Sequence, residues 1–339
     1  MGFPLLSPLP VRSFLDDWRI ESLYFCDLLE CLYNSGGEDF LAKIAAELER
    51  ALARRAANGE PGRMAARVLG QGDGWHVADV VCTCGPQDRP FEEQHDYATV
   101  AIVVAGTFQY RGSLSRCGMG QDLMTPGSLL LGNAGQCFEC GHEHALGDRC
   151  LSFRYSHDYF EGLAADAGMQ RGQRSFRVHR LPPLRPLSRA VAQACLGLIR
   201  GADARWEELG VRLAAEALRL ANGRLAEAGS MPPSAVARVT RAVRMIDLHA
   251  DGELPLGTLA KESGLSTYHF LRTFQQVTGL TPHQYVRRAR LRKAAVRLAS
   301  EPEKVLDIAL DCGFGDVSNF NRAFRAEFGG SPRTYRARQ

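Results

Sequence analysis

The last hundred residues carry one pattern twice, in the same order. Leu259-Ala260 followed by Gly264 returns as Ile308-Ala309 followed by Gly313. Phe270-Leu271-Arg272-Thr273-Phe274 returns as Phe320-Asn321-Arg322-Ala323-Phe324. Gly279-Leu280-Thr281-Pro282-His283-Gln284-Tyr285 returns as Gly329-Gly330-Ser331-Pro332-Arg333-Thr334-Tyr335. The offset is 49 residues for the first match and 50 for the other two. A repeat of this length means one supersecondary unit per copy. Each copy has a short helix, a Gly turn and a second helix with an Arg between two core Phe residues. That order predicts two DNA-reading units in one chain.

Local chemistry sets the expected boundaries. A first helix runs from about Ala235 to His249, and a short one from Leu256 to Ser263. Ser266 is the expected N-cap of the first reading helix, whose core face is Phe270, Phe274 and Val277. Gly279 ends it. Thr281-Pro282 starts a long helix that reaches Ser300. Val305 to Cys312 is the second short helix, Asp316 caps the second reading helix with core face Phe320, Phe324 and Phe328, and Gly329 stops it.

A recognition helix presents to bases the side opposite its core stripe, near its N-terminus. Those residues are Thr267, Tyr268, Leu271 and Arg272 in the first unit, and Val317, Ser318, Asn321 and Arg322 in the second. Arg grips guanine O6 and N7 in a fork, Asn does the same with adenine N6 and N7, and Tyr268, Leu271 and Val317 suit thymine methyl groups. The long helix of twenty residues spans about 30 Å, against about 34 Å between successive major-groove faces. It carries Arg287, Arg288, Arg290, Arg292, Lys293 and Arg297 and no acid. Arg287 and Arg288 are assigned to phosphates, together with Ser266, Thr267, Thr281 and Ser331 at or beside the helix starts.

Charge follows the repeat. Ser234–Gln339 holds 17 Lys+Arg against 10 Asp+Glu, whereas the remaining 233 residues hold 24 against 28. A positive excess confined to one segment fits docking on phosphates. No P-loop, dinucleotide fingerprint or Ser-His-Asp arrangement is legible, and the chain is expected not to be an enzyme.

Ile308-Ala309 with Gly313-Phe314, then Phe320, Arg322 and Phe324, then Phe328-Gly329, Ser331-Pro332 and Tyr335-Arg336 resemble the AraC/XylS family of bacterial transcription regulators. The resemblance implies an all-α, homeodomain-like double helix-turn-helix domain that reads asymmetric promoter sites. The family's base-contacting positions match Tyr268, Leu271, Arg272, Val317, Ser318, Asn321 and Arg322. Leu271 departs from the pattern, because many relatives have a polar reader there. Double-stranded promoter DNA, RNA polymerase and a small-molecule effector are the implied partners, and the protein is expected to act as an activator, with repression left open.

The upstream half reads differently. Val77–Cys82, Ala98–Val104, Thr107–Tyr110, Ser128–Leu131 and Cys150–Tyr155 are short, β-rich and bounded by turn formers. They predict a sandwich or small barrel. Gly106-Thr107-Phe108 and Pro126-Gly127-Ser128 with Leu129-Leu130-Leu131 resemble, more weakly, the cupin-like effector-binding domain of such regulators. His95, Tyr97 and Tyr110 are the candidate effector-pocket residues. Helices over Ser188–Arg200 and Ala204–Asn222 follow; the apolar stripe Leu209, Leu213, Ala217, Leu220 faces either its own barrel or a homodimer partner.

The expected class is therefore α+β with two domains: a cupin-like β-barrel or jelly roll with flanking helices, then the double helix-turn-helix. The boundaries are a helical extension over 1–62, a sensing domain over 63–180, a helical linker or dimerisation segment over 181–229 and a DNA-binding domain over 234–339. An alternative places the true start at Met64. Cys137, Cys140, His142, His144 and Cys150 form a further constellation. In an extended strand Cys140, His142 and His144 share a face, which suits zinc or another transition metal. This leaves open a metal- or thiol-redox-sensing regulator, and a cupin metalloenzyme using His142 and His144 with Glu143 or Asp148. Otherwise no cofactor is expected. With no signal peptide or membrane-length apolar run, a cytoplasmic, nucleoid-associated protein is expected.

Overall fold

The computed structural model describes residues 40–113, 119–200, 204–223 and 231–337. Of the expected helical extension over 1–62, residues 1–39 lie outside the described residues, as do 201–203 and 224–229 of the expected linker segment over 181–229. Helix α1 (Phe40–Asn58) comes first. Ten strands follow: β1 (Met64–Gly72), β2 (Trp75–Cys82), β3 (Phe91–Gln94), β4 (Ala98–Gly106), β5 (Phe108–Ser113), β6 (Met119–Met124), β7 (Leu129–Gly132), β8 (Cys137–Gly141), β9 (Asp148–Tyr155) and β10 (Arg180–Leu181), with helix α2 (His157–Asp166) before β10. They form a six-stranded sheet in the order β1-β2-β9-β4-β7-β10 and a four-stranded sheet in the order β3-β8-β5-β6, with antiparallel pairing throughout. Among the described residues the expected barrel is not closed, since both sheets have free edges.

Period-2 alternation explains the layering. On one face of the large sheet, Ala78, Val80, Ala101, Val103, Leu130 and Cys150 pack against Phe108, Tyr110, Met124 and Cys140 of the small sheet. On its other face, Val77, Val100, Ile102, Leu129, Leu151, Phe153 and Tyr155 pack under helices α3 (Ser188–Arg200) and α4 (Trp206–Asn222). The stripe Leu209, Leu213 and Ala217 is thus buried against the chain's own sheet, with Leu220 packed beside it. Helix α1 adds Ile44 and Leu48 to the interior. The carbonyl of Ile44 accepts from Nη1 of Arg149 at 2.8 Å, while the same guanidinium grips both oxygens of buried Asp79 at 2.8 Å.

The C-terminal part is all helix: α5 (Pro233–His249), α6 (Leu256–Glu262), α7 (Thr267–Thr278), α8 (Pro282–Ser300), α9 (Val305–Asp311), α10 (Val317–Phe328) and α11 (Pro332–Arg336). The expected caps are in place. Ser266 accepts from the His269 amide, Asp316 from the Asn319 amide, and Gly279 and Gly329 end the reading helices at φ 76 and 75. Gly313 has φ 83, and a Cβ there would meet the Asp251 carbonyl oxygen at 2.4 Å, so the turn admits no side chain. The repeat makes two cores. The first gathers Val239, Val243, Ile246, Leu259, Phe270, Phe274 and Tyr285, with Leu123 from β6. The second gathers Leu291, Leu298, Ile308, Phe320, Phe324 and Tyr335, with Ala192 from α3.

Candidate nucleic-acid interface

Both reading helices present the residues expected of them. Phe270 and Phe274 in α7, and Phe320 and Phe324 in α10, are fully buried. The 3.6-residue period then turns Thr267, Tyr268, Leu271 and Arg272, and Ser318, Asn321 and Arg322, outward. Tyr268 is 70% exposed, and Val317 is half-buried at the first turn of α10. Arg322 donates through Nη2 to the side-chain oxygen of Asn319, whose own amide nitrogens are held by the Asp316 cap. This chain steers the guanidinium along the exposed face.

A cleft separates the two units. Its walls include Leu271 from α7, His283 and Arg287 from α8, and Asn319 and Arg322 from α10. Residues from both units therefore border one cavity. A second cleft, between α9, α10 and α11, is lined by Lys304, Val317, Asn321, Arg325, Ser331 and Arg333. Lys304, Arg325 and Arg333 are exposed basic residues that the sequence reading did not single out. Their neighbours in this cleft come from three separate helices, so only the net charge of the segment hinted at them.

The spacer helix corrects the sequence expectation. Arg287 is exposed. Arg288 is not a phosphate ligand in this arrangement: it donates to the carbonyl of Pro183 and lies against Glu327, and its side chain is 14% exposed. Arg290 donates to the carbonyls of Ala250, Gly313 and Gly252 at 2.5–2.7 Å. Arg297 is buried and bonded to Glu301, Glu303 and Asp311, which hold its guanidinium charged. Lys293 lies 3.7 Å from Asp251, and a Cβ on Gly127 would sit 2.6 Å from Nη1 of Arg292. Most of the basic charge of α8 therefore tethers loops and neighbouring helices. The hydroxyls of Thr281 and Ser331 cap their helices by accepting from the amides of Gln284 and Thr334 at 3.3 and 3.1 Å, and Ser266 and Thr267 are exposed at the start of α7.

The β-sheet part meets this module directly. Arg180 of β10 donates to the carbonyls of Val277 and Thr278 at the end of α7, at 3.2 and 2.7 Å. Inside the sheets, two of the three pocket candidates come together: Nε2 of His95 lies 2.9 Å from the Tyr110 hydroxyl. Burial pushes His95 down to about 4, with Arg154 and His179 as further causes. Phe138 stacks on His95 at 4.1 Å, and His179 lies 5.3 Å from Tyr110. Tyr97 does not join them. It is 39% exposed and packs edge-on against His76 instead.

The shared face of Cys140, His142 and His144 is also corrected. Strand β8 stops at Gly141, so alternation does not carry through to His144. Cys140 is buried among apolar residues between the sheets, and His144 lies 3.9 Å from Glu143. Among the described residues, the metal-ligating atoms that converge are those of Cys82, His142 and Asp148. Cys137 is exposed. His142 and His144 thus do not assemble the two-histidine, one-carboxylate set that the metalloenzyme alternative needs. No helix among the described residues is long and apolar enough to cross a membrane.

A family model described as a helix-turn-helix domain matches residues 259–338. The regulatory protein SoxS of Salmonella typhimurium is 40% identical over 96 residues, which are 28% of this chain and 90% of that one. The HTH-type transcriptional activator RhaS of Klebsiella pneumoniae is 40% identical over 100 residues, 30% of this chain and 36% of that one. A solved transcriptional regulator from Chromobacterium violaceum, with an AraC-type DNA-binding domain, is 29% identical at a TM-score of 0.29, covering 30% of this chain and 90% of that one. Taken with the two capped, repeated reading helices, the family model and the matches to SoxS and RhaS establish that the chain belongs to the AraC/XylS family of DNA-binding transcription regulators.

Proposed function

We propose that α7 and α10 read two successive major grooves on one face of promoter DNA. Tyr268, Leu271 and Arg272 contact bases from the first unit, and Val317, Ser318, Asn321 and Arg322 from the second. Ser266, Thr267, Thr281, Arg287 and Ser331 hold phosphates. One observation carries the reading: Leu271 and Arg322, from different units, line the same cleft beside exposed Arg287. Two readers that border one cavity can approach one duplex together. The sheet part is the sensor for a small-molecule effector. Support comes from three polar rings, His95, Tyr110 and His179, buried side by side between the sheets. A cupin-like ancestry for the sheets, RNA polymerase as protein partner, a homodimer and a cytoplasmic location belong to the same reading.

Binding-site selection from random duplexes tests it. Arg272→Ala and Arg322→Ala should each relax preference at one base position, by about 1–3 kcal/mol. Uniform weakening on every sequence would make these residues phosphate anchors and refute the assignment.

A further inference from the structure

At the end of the sheets where β2 stops and β9 begins, three ligand groups meet on the face turned toward the small sheet. Sγ of Cys82, a ring nitrogen of His142 and a carboxylate oxygen of Asp148 all lie within 4.8 Å of one another, and all three residues are buried. Cys82 and Asp148 are register partners on neighbouring strands, which fixes their separation. His142 comes from the turn after β8 and is held to Oδ1 of Asp148 through Nε2 at 2.7 Å. Its Nδ1 is buried with no hydrogen-bond partner. More sulfur is at hand: the Cys150 thiol lies 3.1 Å from Oδ2 of Asp148, and the free thiols of Cys84 and Cys82 are hydrogen-bonded to each other.

The charge balance points the same way. Asp79, on the opposite face of the same sheet, is buried with Arg149 and Arg67 as cationic partners. Asp148 is equally buried, yet among the described residues no Arg or Lys pairs with it. A buried carboxylate calls for a compensating cation or a dense set of donors. We infer that Cys82, His142 and Asp148 bind a transition-metal cation of the zinc class through one thiolate, one imidazole and one carboxylate. Thiol sulfur and imidazole nitrogen select for zinc-like ions over magnesium or calcium. Tetrahedral zinc holds its ligand atoms about 3–4 Å apart, so a small inward shift closes the group around an ion. Binding releases the Cys82 thiol proton to solvent. The thiolate and the carboxylate then match the two positive charges of the ion.

The turn that carries this site lies under α1. A Cβ on Gly147 would come 2.6 Å from the Cys82 carbonyl oxygen and 2.9 Å from Cδ1 of Leu48. Metal binding therefore also fastens the segment on which α1 rests. The site is separate from the DNA-reading helices, so the full chain without DNA suffices to test it.

Metal-stripped, reduced protein is titrated with cobalt(II) and then with zinc. The expected results are one equivalent bound, a thiolate-to-cobalt charge-transfer band that zinc abolishes, and a zinc-dependent rise in melting temperature. Cys82→Ser, His142→Ala and Asp148→Asn should each weaken binding at least tenfold, while Cys137→Ser and His144→Ala leave it unchanged. Wild-type protein without the band or the thermal shift overturns the proposal, whatever the variants do. So does wild-type affinity in His142→Ala, or loss of binding in Cys137→Ser.

Discussion

Nε of Arg288 lies 3.3 Å from Oε1 of Glu327, and the same oxygen accepts the hydroxyl of Ser188. One carboxylate thereby joins the spacer helix α8, the reading helix α10 and helix α3 of the upstream part. Removing it strands a half-buried guanidinium, the costly way to break a buried pair. Glu327→Ala should lower the unfolding free energy by about 3 kcal/mol. Urea denaturation reads this directly, and an unchanged midpoint would show the triple contact to be energetically silent.

Two neighbouring arginines should behave in opposite ways. Arg287 is exposed in the cleft between the units, whereas Arg288 is spent on Pro183 and Glu327. Arg287→Ala should weaken binding to all duplexes and reduce the dependence of log affinity on log salt by about 1. Arg288→Ala should leave that slope unchanged and lower thermal stability. The check is an affinity series over salt concentration with both variants. A smaller slope in Arg288→Ala would mean that this side chain leaves Glu327 for the phosphates.

Acid should loosen the sheet part. His95 sits near 4 in the folded chain against an ordinary value of 6.5, because burial disfavours its charged form, and His179 is lowered for the same main reason. The unfolded chain therefore takes up protons first as pH falls. Stability is complete above about 6.5 and drains away toward 4, by up to about 3 kcal/mol from His95 alone. Chemical unfolding across this range should show the decline, and His95→Gln should flatten it. An equally steep decline in His95→Gln would assign the effect to other groups.

A chain begun at Met64 lacks α1. It would lose Ile44 and Leu48 from the interior and leave Nη1 of Arg149 without the Ile44 carbonyl. Burial of two aliphatic side chains is worth about 4 kcal/mol, so the shortened protein should melt well below the full chain. Equal melting temperatures would show that α1 contributes nothing to folding, as the alternative start at Met64 supposes.

Helix ends were legible because their causes are local. Ser266, Asp316, Gly279 and Gly329 act within a few residues of themselves, and each cap stands where sequence alone puts it. The exposed reader positions followed from the Phe stripes in the same way. Strands β3, β6 and β8 were missed because Phe91–Gln94, Met119–Met124 and Cys137–Gly141 are short and partly polar, and only pairing with a neighbouring strand defines them. The fate of Arg288 and Arg290 was hidden for a related reason. Their partners are backbone carbonyls and a carboxylate far along the chain, which leave no periodic trace. Cys82 likewise meets Asp148 only through the register of β2 with β9.

Leu123 of β6 and Ala192 of α3 complete the two helical cores. Neither half of the reading module is thus self-sufficient: each borrows a plug from the sheet-bearing part. Any motion that pulls the two parts away from each other must uncork both halves, wetting apolar walls that are now dry. The distance between the readers is consequently an attribute of the whole docked chain, not of the spacer helix alone.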